Sequence, residues 1–245
     1  ANHPHVVSLQ SLLGDFQYKI IFLCRGLHEV QTFLSEVFSG AGDVFTEKLV
    51  APRLGIALYQ KKYLDPTYKN YTSFDFAPNG ELFVPDDFDQ RLLYQLGAFP
   101  FESMRKLAQT LSAPYSTIER RIKKLRELKV IEGFYWDIDL CALGMQAYRL
   151  LVMKKGICLN TKEKLAQFCA QHPHITFLVD AIGAWDFEIG VEASGTRTVN
   201  QIVEELYGIC GMRIAWIKVL MEDKNYKCSF YEINPVKQLE RVAAA

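Results

Sequence analysis

Residues 107–135 read LAQTLSAPYSTIERRIKKLRELKVIEGFY, and this stretch decides how the middle of the chain folds. The pattern predicts a short helix capped by Ser103, a turn at 112–114, a second helix opened by Pro114, and an aromatic strand. The apolar residues of the second helix recur every three or four positions and share one side, which is predicted to be Ile118, Ile122, Leu125 and Leu128. This order of elements is typical of a helix-turn-helix unit with a trailing wing, which places its second helix in the DNA major groove.

The opposite side of the second helix is basic. Between Glu119 and Lys129, six cations stand against two anions. Hydroxyl and phenol groups in the first turn suit contacts to base edges, and the cations suit phosphates. The predicted DNA-binding residues are Tyr115, Ser116, Thr117, Arg120, Arg121, Lys123 and Lys124. The alternative is a solvated helix face whose cations pair with Glu119 or Glu127 and only support the helix.

The segment resembles the DNA-binding domain of the Lrp/AsnC regulators, also called feast/famine regulatory proteins. The matching residues include Leu92-Leu93, Leu107-Ala108, Ser116-Thr117-Ile118, Arg121-Ile122-Lys123-Lys124-Leu125 and Val130-Ile131-Glu132-Gly133-Phe134. Two positions depart from the family pattern. The family usually has Gly-Leu-Ser at the turn, where this chain has Ser112-Ala113-Pro114, and Gly where this chain has Lys129.

The resemblance continues downstream. Strands are predicted at 146–154, 175–182, 185–193 and, bent or broken, through 213–221 and 226–231, with helices at 161–171 and 196–208. The order βαββαβ predicts a ferredoxin-like sandwich. The resemblance implies that this is the RAM-type domain that senses effectors and dimerises. The predicted domains are a helix-turn-helix unit at 84–140 and a sensor domain at 145–234, preceded by a linker at 64–83.

An internal repeat extends this interpretation to the start of the chain. HPHV at 3–6 recurs as HPHI at 172–175, and the match runs on without a gap at an offset of 169. Residues 1–63 are therefore predicted to be the last part of another sensor domain, with the order strand, strand, helix, strand. The whole chain is predicted to be α+β. We expect a fragment of a longer tandem protein, truncated at its N-terminus, that forms a homo-oligomer or an intramolecular pseudo-dimer through its sensor domains.

Composition narrows the classes of protein that fit. The 245 residues carry no net charge and the isoelectric point is near 7.1, which argues against a non-specific DNA coater. No apolar run approaches the length of a membrane span. Six scattered cysteines without a Cys-x-x-Cys pair are typical of a reduced protein, so we expect a cytoplasmic location.

The sequence offers little sign of catalysis or of a metal. The His-Pro-His pairs lack a third ligand in register, and inheritance by duplication explains their recurrence, so no metal site and no cofactor are predicted. No nucleophile triad, phosphate-binding glycine loop or pair of acids is legible. The chain is therefore predicted not to be an enzyme.

The family resemblance implies an effector site at the strand-turn-strand corner Gly183-Ala184-Trp185-Asp186. Turn amides can bind a carboxylate, and a side-chain carboxylate can bind an ammonium group, so an amino acid or similar metabolite is the expected effector. The alternative is an ordinary hairpin turn with Trp185 in the core. The first copy keeps Gly14 but has Gln17 in place of the acid.

Three classes of function remain. The first is a sequence-specific, effector-modulated transcription regulator that binds double-stranded DNA. The second is an enzyme like the sirohaem decarboxylases, which resemble this architecture and need His and Arg groups for substrate carboxylates. The segment FLVDAIGAWDFEIGV at 177–191 has no His, Arg or Lys, which disfavours that class. The third is an assembly module without DNA binding, which the basic helix argues against.

Overall fold

The fold is known from a computed structural model that describes residues 3, 5–24, 26–67, 71–75, 83–99, 102–133, 138–156 and 161–228. The helices are α1 (Leu27–Ala41), α2 (Asp87–Ala98), α3 (Met104–Thr110), α4 (Tyr115–Glu127), α5 (Thr161–Gln171) and α6 (Thr196–Cys210). The strands are β1 (Val6–Leu13), β2 (Tyr18–Phe22), β3 (Arg53–Tyr59), β4 (Tyr71–Asp75), β5 (Gln146–Lys154), β6 (Ile175–Ala181), β7 (Phe187–Ala193) and β8 (Ile214–Cys228). The predicted α+β class is confirmed.

The strands form one sheet in the order β2-β1-β8-β5-β7-β6-β3-β4, with every neighbouring pair antiparallel. Lys19 on β2 nevertheless reaches Glu188 on β7, four strands away in this order, at 2.7 Å. The sheet therefore curves so that β2, at one end, comes to face β7. No helix in the described part of the chain is long and apolar enough to cross a membrane.

The C-terminal unit follows the predicted order of strands and helices. Its four strands lie in the order β8-β5-β7-β6, and α5 and α6 cover one face. Alternate residues of the central strands, such as Leu150 and Ile189, point to these helices and are fully buried. The core also takes Leu165 from α5 and Ile202 and Leu206 from α6.

The last strand was predicted to be either bent or broken. In the structure it is unbroken, because β8 is one strand of 15 residues. Its first half, up to Met221, pairs with β5, and its second half pairs with β1. The strand continues because a second partner at its far end satisfies the backbone groups that β5 no longer reaches.

The N-terminal elements β1, β2, α1 and β3 appear in the order predicted for the first copy of the repeat. β3 extends the sheet beyond β6, just as the second half of β8 extends it beyond β1. Arg53 pairs with Ala181 where β3 meets β6. The repeat equivalents of these two residues, Glu222 and Leu12, pair with each other where β8 meets β1. The pairing of β3 with β6 and the pairing of the second half of β8 with β1 are thus equivalent under the repeat.

Between the copies, the segment 64–83 contains β4, which pairs with β3 along five residues. The three helices α2, α3 and α4 follow and enclose a separate small core. The predicted wing depends on residues 134–137, which lie outside the described residues, and Val130–Gly133 are not a strand. The three-helix unit and the sheet thus have separate hydrophobic cores.

Candidate nucleic-acid interface and effector corner

The turn before α4 sets the direction of the candidate DNA-binding helix. Ser112 has a positive φ of 51°, and Ala113 donates its backbone N–H to the Ala108 carbonyl at 3.0 Å. Pro114 occupies the N-cap position, and its carbonyl accepts from Thr117 N at 2.9 Å. Proline suits this place because its φ is preset and it has no N–H to leave unpaired. Upstream, the Ser103 hydroxyl accepts from Lys106 N at 3.3 Å, as predicted for a cap.

Helix α4 has one buried side and one exposed side. Ile118 and Leu125 are fully buried against α2 and α3, and Ile122 is partly buried. Leu128, the fourth residue of the predicted apolar side, caps the end of α4 and is 46% exposed. Residues 116, 120 and 124 recur every fourth position and form an exposed stripe away from this core. Of the predicted contacts, Tyr115, Ser116, Arg120, Lys123 and Lys124 are exposed, Thr117 is half-buried, and Arg121 is partly buried.

Arg121 is placed differently from the other predicted contacts. Its Nη1 donates to Asp86 Oδ2 at 2.6 Å and to both Asp89 oxygens at 3.2 Å. Asp89 is almost completely buried, while Asp86 caps α2 by accepting from Asp89 N. The guanidinium also lies over the Phe88 ring. The bonds to Asp86 raise the pKa of Arg121 above its ordinary value. Arg121 therefore joins α4 to α2.

Two exposed cations keep looser contacts. Lys123 lies 4.0 Å from Glu127 one turn later, a solvent-exposed pair of little energetic value. Lys124 Nζ lies 5.4 Å from the centre of the Phe83 ring and remains exposed. These side chains can turn outward without leaving a buried charge behind.

The second predicted site, the corner at 183–186, joins β6 to β7 at the junction of the two copies. Gly183 has a φ of +108°, and a Cβ there would meet the Val50 carbonyl oxygen at 3.1 Å. Its repeat equivalent Gly14 has a φ of +130°, and a Cβ there would meet Val219 O at 3.0 Å. Positions 50 and 219 are themselves equivalent, so each corner rests on the other copy's backbone.

The Asp186 carboxylate already has partners within the chain. Its Oδ2 accepts from Lys154 N at 2.7 Å, and its Oδ1 lies 3.4 Å from Lys154 Nζ. The backbone of Asp186 bonds Val152 and Ala181, so the residue ties the hairpin to the end of β5. An ammonium group would have to share this carboxylate with Lys154.

Trp185 lies on the inner side of the corner. Together with its equivalent Phe16 it packs on a small cluster formed by Leu12, Leu151 and Leu220. Its indole Nε1 is buried and finds no hydrogen-bond acceptor among the described residues. Packing of the ring agrees with the alternative that Trp185 belongs to a core, here the one between the copies.

A buried charge cluster between the two copies was not predicted from the sequence. Glu188 accepts from Lys19 Nζ at 2.7 Å, from Arg53 Nη2 at 2.7 Å and from Arg149 Nη1 at 2.8 Å. Arg149 Nη2 also lies 2.6 Å from Glu222 Oε1. The only sequence signal is the repeat itself, which aligns lysine 19 with glutamate 188.

Burial and neighbouring charges act against each other in this charge cluster. Burial raises the pKa of Glu188, but the three cations outweigh it and hold the pKa well below its usual value. Burial lowers the pKa of Lys19 to about 7, helped by Arg149, while Glu188 opposes the shift. The cluster holds three cations and two carboxylates.

The repeated histidines serve local structure. His172 Nδ1 accepts from His174 N at 3.2 Å, and His174 Nδ1 pairs with Glu192 O at 2.8 Å. His3 and His5 repeat both bonds, and Leu23 O takes the place of Glu192 O. Among the residues described, no group of three or more His, Cys, Asp or Glu side chains is arranged to hold a metal ion.

The chain is similar to curated transcription regulators. An HTH-type regulator of Pyrococcus abyssi is 31% identical over 125 residues, covering 49% of this chain and 81% of that protein. The HTH-type regulator AldR of Mycolicibacterium smegmatis is 29% identical over 123 residues, covering 49% of this chain and 71% of that protein. No protein-family model matches. These relatives are named as regulators, which does not favour the enzymatic alternative.

Solved structures agree at the level of the fold. An AsnC family transcriptional regulator from Agrobacterium tumefaciens matches with a TM-score of 0.51 at 14% identity, covering 60% of this chain and 95% of that one. A regulator from Neisseria meningitidis, solved as an L-Met complex, matches with a TM-score of 0.53 at 15% identity, covering 62% and 99%. With its helix-turn-helix segment and these relatives, the chain belongs to the Lrp/AsnC family of HTH-type transcription regulators.

Proposed function

We propose that this regulator reads a specific DNA sequence through α4 and that an amino acid or similar small metabolite modulates its binding. The observation that carries the proposal is the exposed stripe of Ser116, Arg120 and Lys124, which lies opposite the fully buried Ile118 and Leu125. A helix held by one side and basic on the other fits the major groove.

The structure supports different roles for the predicted contacts. Tyr115, Ser116 and Thr117 lie in the first turn of α4, where side chains of a recognition helix approach base edges. Arg120, Lys123 and Lys124 are exposed and suit phosphate oxygens. Arg121 is assigned a supporting role, because contact with a phosphate would require it to leave the buried Asp89 carboxylate.

The test is a salt series of DNA binding to the region upstream of the protein's own gene. Arg120→Ala and Lys124→Ala are each expected to weaken binding to all sequences and to reduce the slope of log K against log salt by about 0.9. Lys162→Ala, at an exposed position of α5, serves as the matched control and should leave the slope unchanged. An unchanged slope for both α4 variants would contradict the proposed interface.

Base readout needs a separate measurement. Ser116→Ala and Thr117→Ala are expected to change the preferred sequence in a selection from random DNA more than they change the affinity. If the variants prefer the same sequences as the unaltered protein, these hydroxyls do not read the bases, and sequence-dependent DNA shape would account for the specificity.

We place the effector at the junction of the two copies, beside the corner at 183–186. The support is the turn geometry, the Asp186 carboxylate and the complex with L-Met of a structural neighbour. Asp186→Asn can still accept from Lys154 N but loses the charge. It is expected to abolish amino-acid binding in calorimetry without lowering the unfolding midpoint. Unchanged binding would exclude the carboxylate as an ammonium ligand.

The two repeat copies are proposed to act as sensor domains that pair within one chain. The strand order β8-β5-β7-β6 supports a ferredoxin-like sensor at 145–234, and the exchange of β3 and β8 supports an intramolecular pseudo-dimer with residues 1–63. The helix-turn-helix unit at 84–140 would then be attached to two sensor domains that pair with each other.

A further inference from the structure

The charge cluster between the copies relates residues that occupy equivalent positions of the repeat. Adding 169 to Lys19 gives Glu188, and adding 169 to Arg53 gives Glu222. At both positions the sign of the charge is reversed between the copies. Lys19 and Glu188 also touch each other at 2.7 Å, so this position lies close to the pseudo-two-fold axis, where equivalent residues meet.

Symmetry makes this reversal informative. In a two-fold dimer of identical units, a residue near the axis faces the same residue of the other unit. A symmetric pair of second copies would bring Glu188 against Glu188, and a pair of first copies would bring Lys19 against Lys19. Only a pair of unlike copies gives each charge an opposite partner at this position.

The rest of the charge cluster follows the same rule. The first copy brings two cations, Lys19 and Arg53, whereas the second copy brings two carboxylates and Arg149. Unlike copies therefore nearly balance their charges, but like copies would accumulate charge of one sign. The Glu188 side chain is only 2% exposed, so an unbalanced partner could not be relieved by water.

We propose that the facing sheets of the two copies carry a charge code that selects pairing between unlike copies and rejects pairing between like copies. The partner that this surface fits is therefore the other repeat copy. The code consists of the reversed pairs Lys19/Glu188 and Arg53/Glu222. It rests on the proposed pseudo-dimer and is independent of DNA binding.

Charge reversal in the whole chain tests the code. Lys19→Glu is expected to lower the thermal midpoint by on the order of 10 °C, and Glu188→Lys by at least as much, because each places like charges together in a buried site. The double variant restores opposite charges at positions 19 and 188, but Arg53 and Arg149 then face a lysine, so it is expected to recover only part of the loss. Lys162→Glu, at an exposed pair within one copy, is the matched control and should shift the midpoint by only a few degrees.

Lys19→Met separates repulsion from the loss of a contact. This variant removes the ion pair without adding a charge, so it should be less destabilised than Lys19→Glu. Equal losses for the two variants, or a double reversal as unstable as the sum of the single reversals, would overturn the charge code.

Mixing separates the code from the intramolecular pseudo-dimer. Chains with Lys19→Glu are unfolded and refolded together with chains carrying Glu188→Lys, and the midpoint and mass are measured. No mutual rescue is expected, because both partners lie in one chain, and this outcome supports the intramolecular pseudo-dimer. Rescue accompanied by a doubled mass would support the code but overturn the intramolecular pseudo-dimer.

Discussion

Ser112 and Lys129 are the two non-glycine residues with positive φ in the described part of the chain, at 51° and 54°. Both fall where the Lrp/AsnC pattern usually has glycine. Both residues therefore adopt the left-handed conformation that favours glycine, and an L side chain there costs roughly 1–2 kcal/mol.

Glycine at either position should therefore stabilise the protein. For Lys129→Gly we expect a gain of about 0.5–1 kcal/mol in the free energy of unfolding, because the relief of strain exceeds the added entropy of the unfolded chain. Urea unfolding measures the change. Lys123→Gly, inside α4, is the control and should lose about 1 kcal/mol. A loss at position 129 would show that the lysine side chain makes a favourable contact there.

The environment of His172 leads us to expect that the stability of the protein depends on pH. Burial, with the nearby His174 and Lys62, lowers its pKa to about 4 from a usual 6.5. Between pH 4 and 6.5, His172 is protonated in the unfolded chain but neutral in the folded protein. The free energy of unfolding therefore falls as the pH drops from 6.5 to 4. Because the ring is only partly buried, we expect about 1–2 kcal/mol.

The variant His172→Asn tests this assignment. Asparagine can still accept from His174 N but does not titrate, so its urea midpoint should fall less across this window. The exposed His28→Asn is the control and should keep the full dependence. Identical pH profiles for His172→Asn and the unaltered protein would assign the dependence to other groups.

At the scale of elements, α4 is held by an ion pair as well as by its apolar side. Arg121→Ala leaves the buried Asp89 carboxylate without its cation, so we expect a loss of about 2–3 kcal/mol in the stability of the three-helix unit. Chemical unfolding followed by a probe in this unit measures it. Arg120→Ala, one residue earlier and exposed, should change the stability by less than about 0.5 kcal/mol. Equal effects of the two substitutions would contradict the structural role of Arg121.

The elements also differ in how well their sequences predicted them. The predicted bounds of α5 agree with Thr161–Gln171, because its apolar period of three and four residues is a local signal. The sequence did not decide whether the last strand is bent or broken, since the continuation of β8 depends on β1, which lies more than 200 residues away in sequence. Pairing with such a distant strand leaves no mark in a local pattern.

At the scale of the whole molecule, the two glycine corners connect the copies. Gly183→Ala forces a side chain into a positive φ and against the Val50 carbonyl, so we expect a loss of about 1–3 kcal/mol in stability. Thermal or urea unfolding of the whole chain provides the measurement. Gly208→Ala is the control, because a Cβ there meets nothing within 4 Å and α6 should gain up to about 1 kcal/mol. A tolerated alanine at 183 would show that the corner moves freely away from the other copy.

The sequence by itself determined the order of the elements in the two repeat copies and which side of α4 is buried, but it did not predict β4 within the linker. The helical period and the capping residues are local patterns, and the repeat is a direct match between two parts of the sequence. The helical period predicted that Ile118 and Leu125 are buried and that Ser116 and Lys124 are exposed. They did not separate Arg120 from Arg121, because both are arginines on the basic part of one helix. The difference comes from Asp89, which lies 32 residues away from Arg121 and reaches it only after α2 packs on α4.

Only the tertiary structure decided how the two copies use their charges. Lysine 19 and glutamate 188 are visible as a repeat mismatch, but the sequence does not tell whether they meet or point to solvent. The folded sheet brings them to 2.7 Å and buries the carboxylate among three cations. Electrostatic energy depends on distance and burial, and both are set when strands far apart in the chain come to face each other.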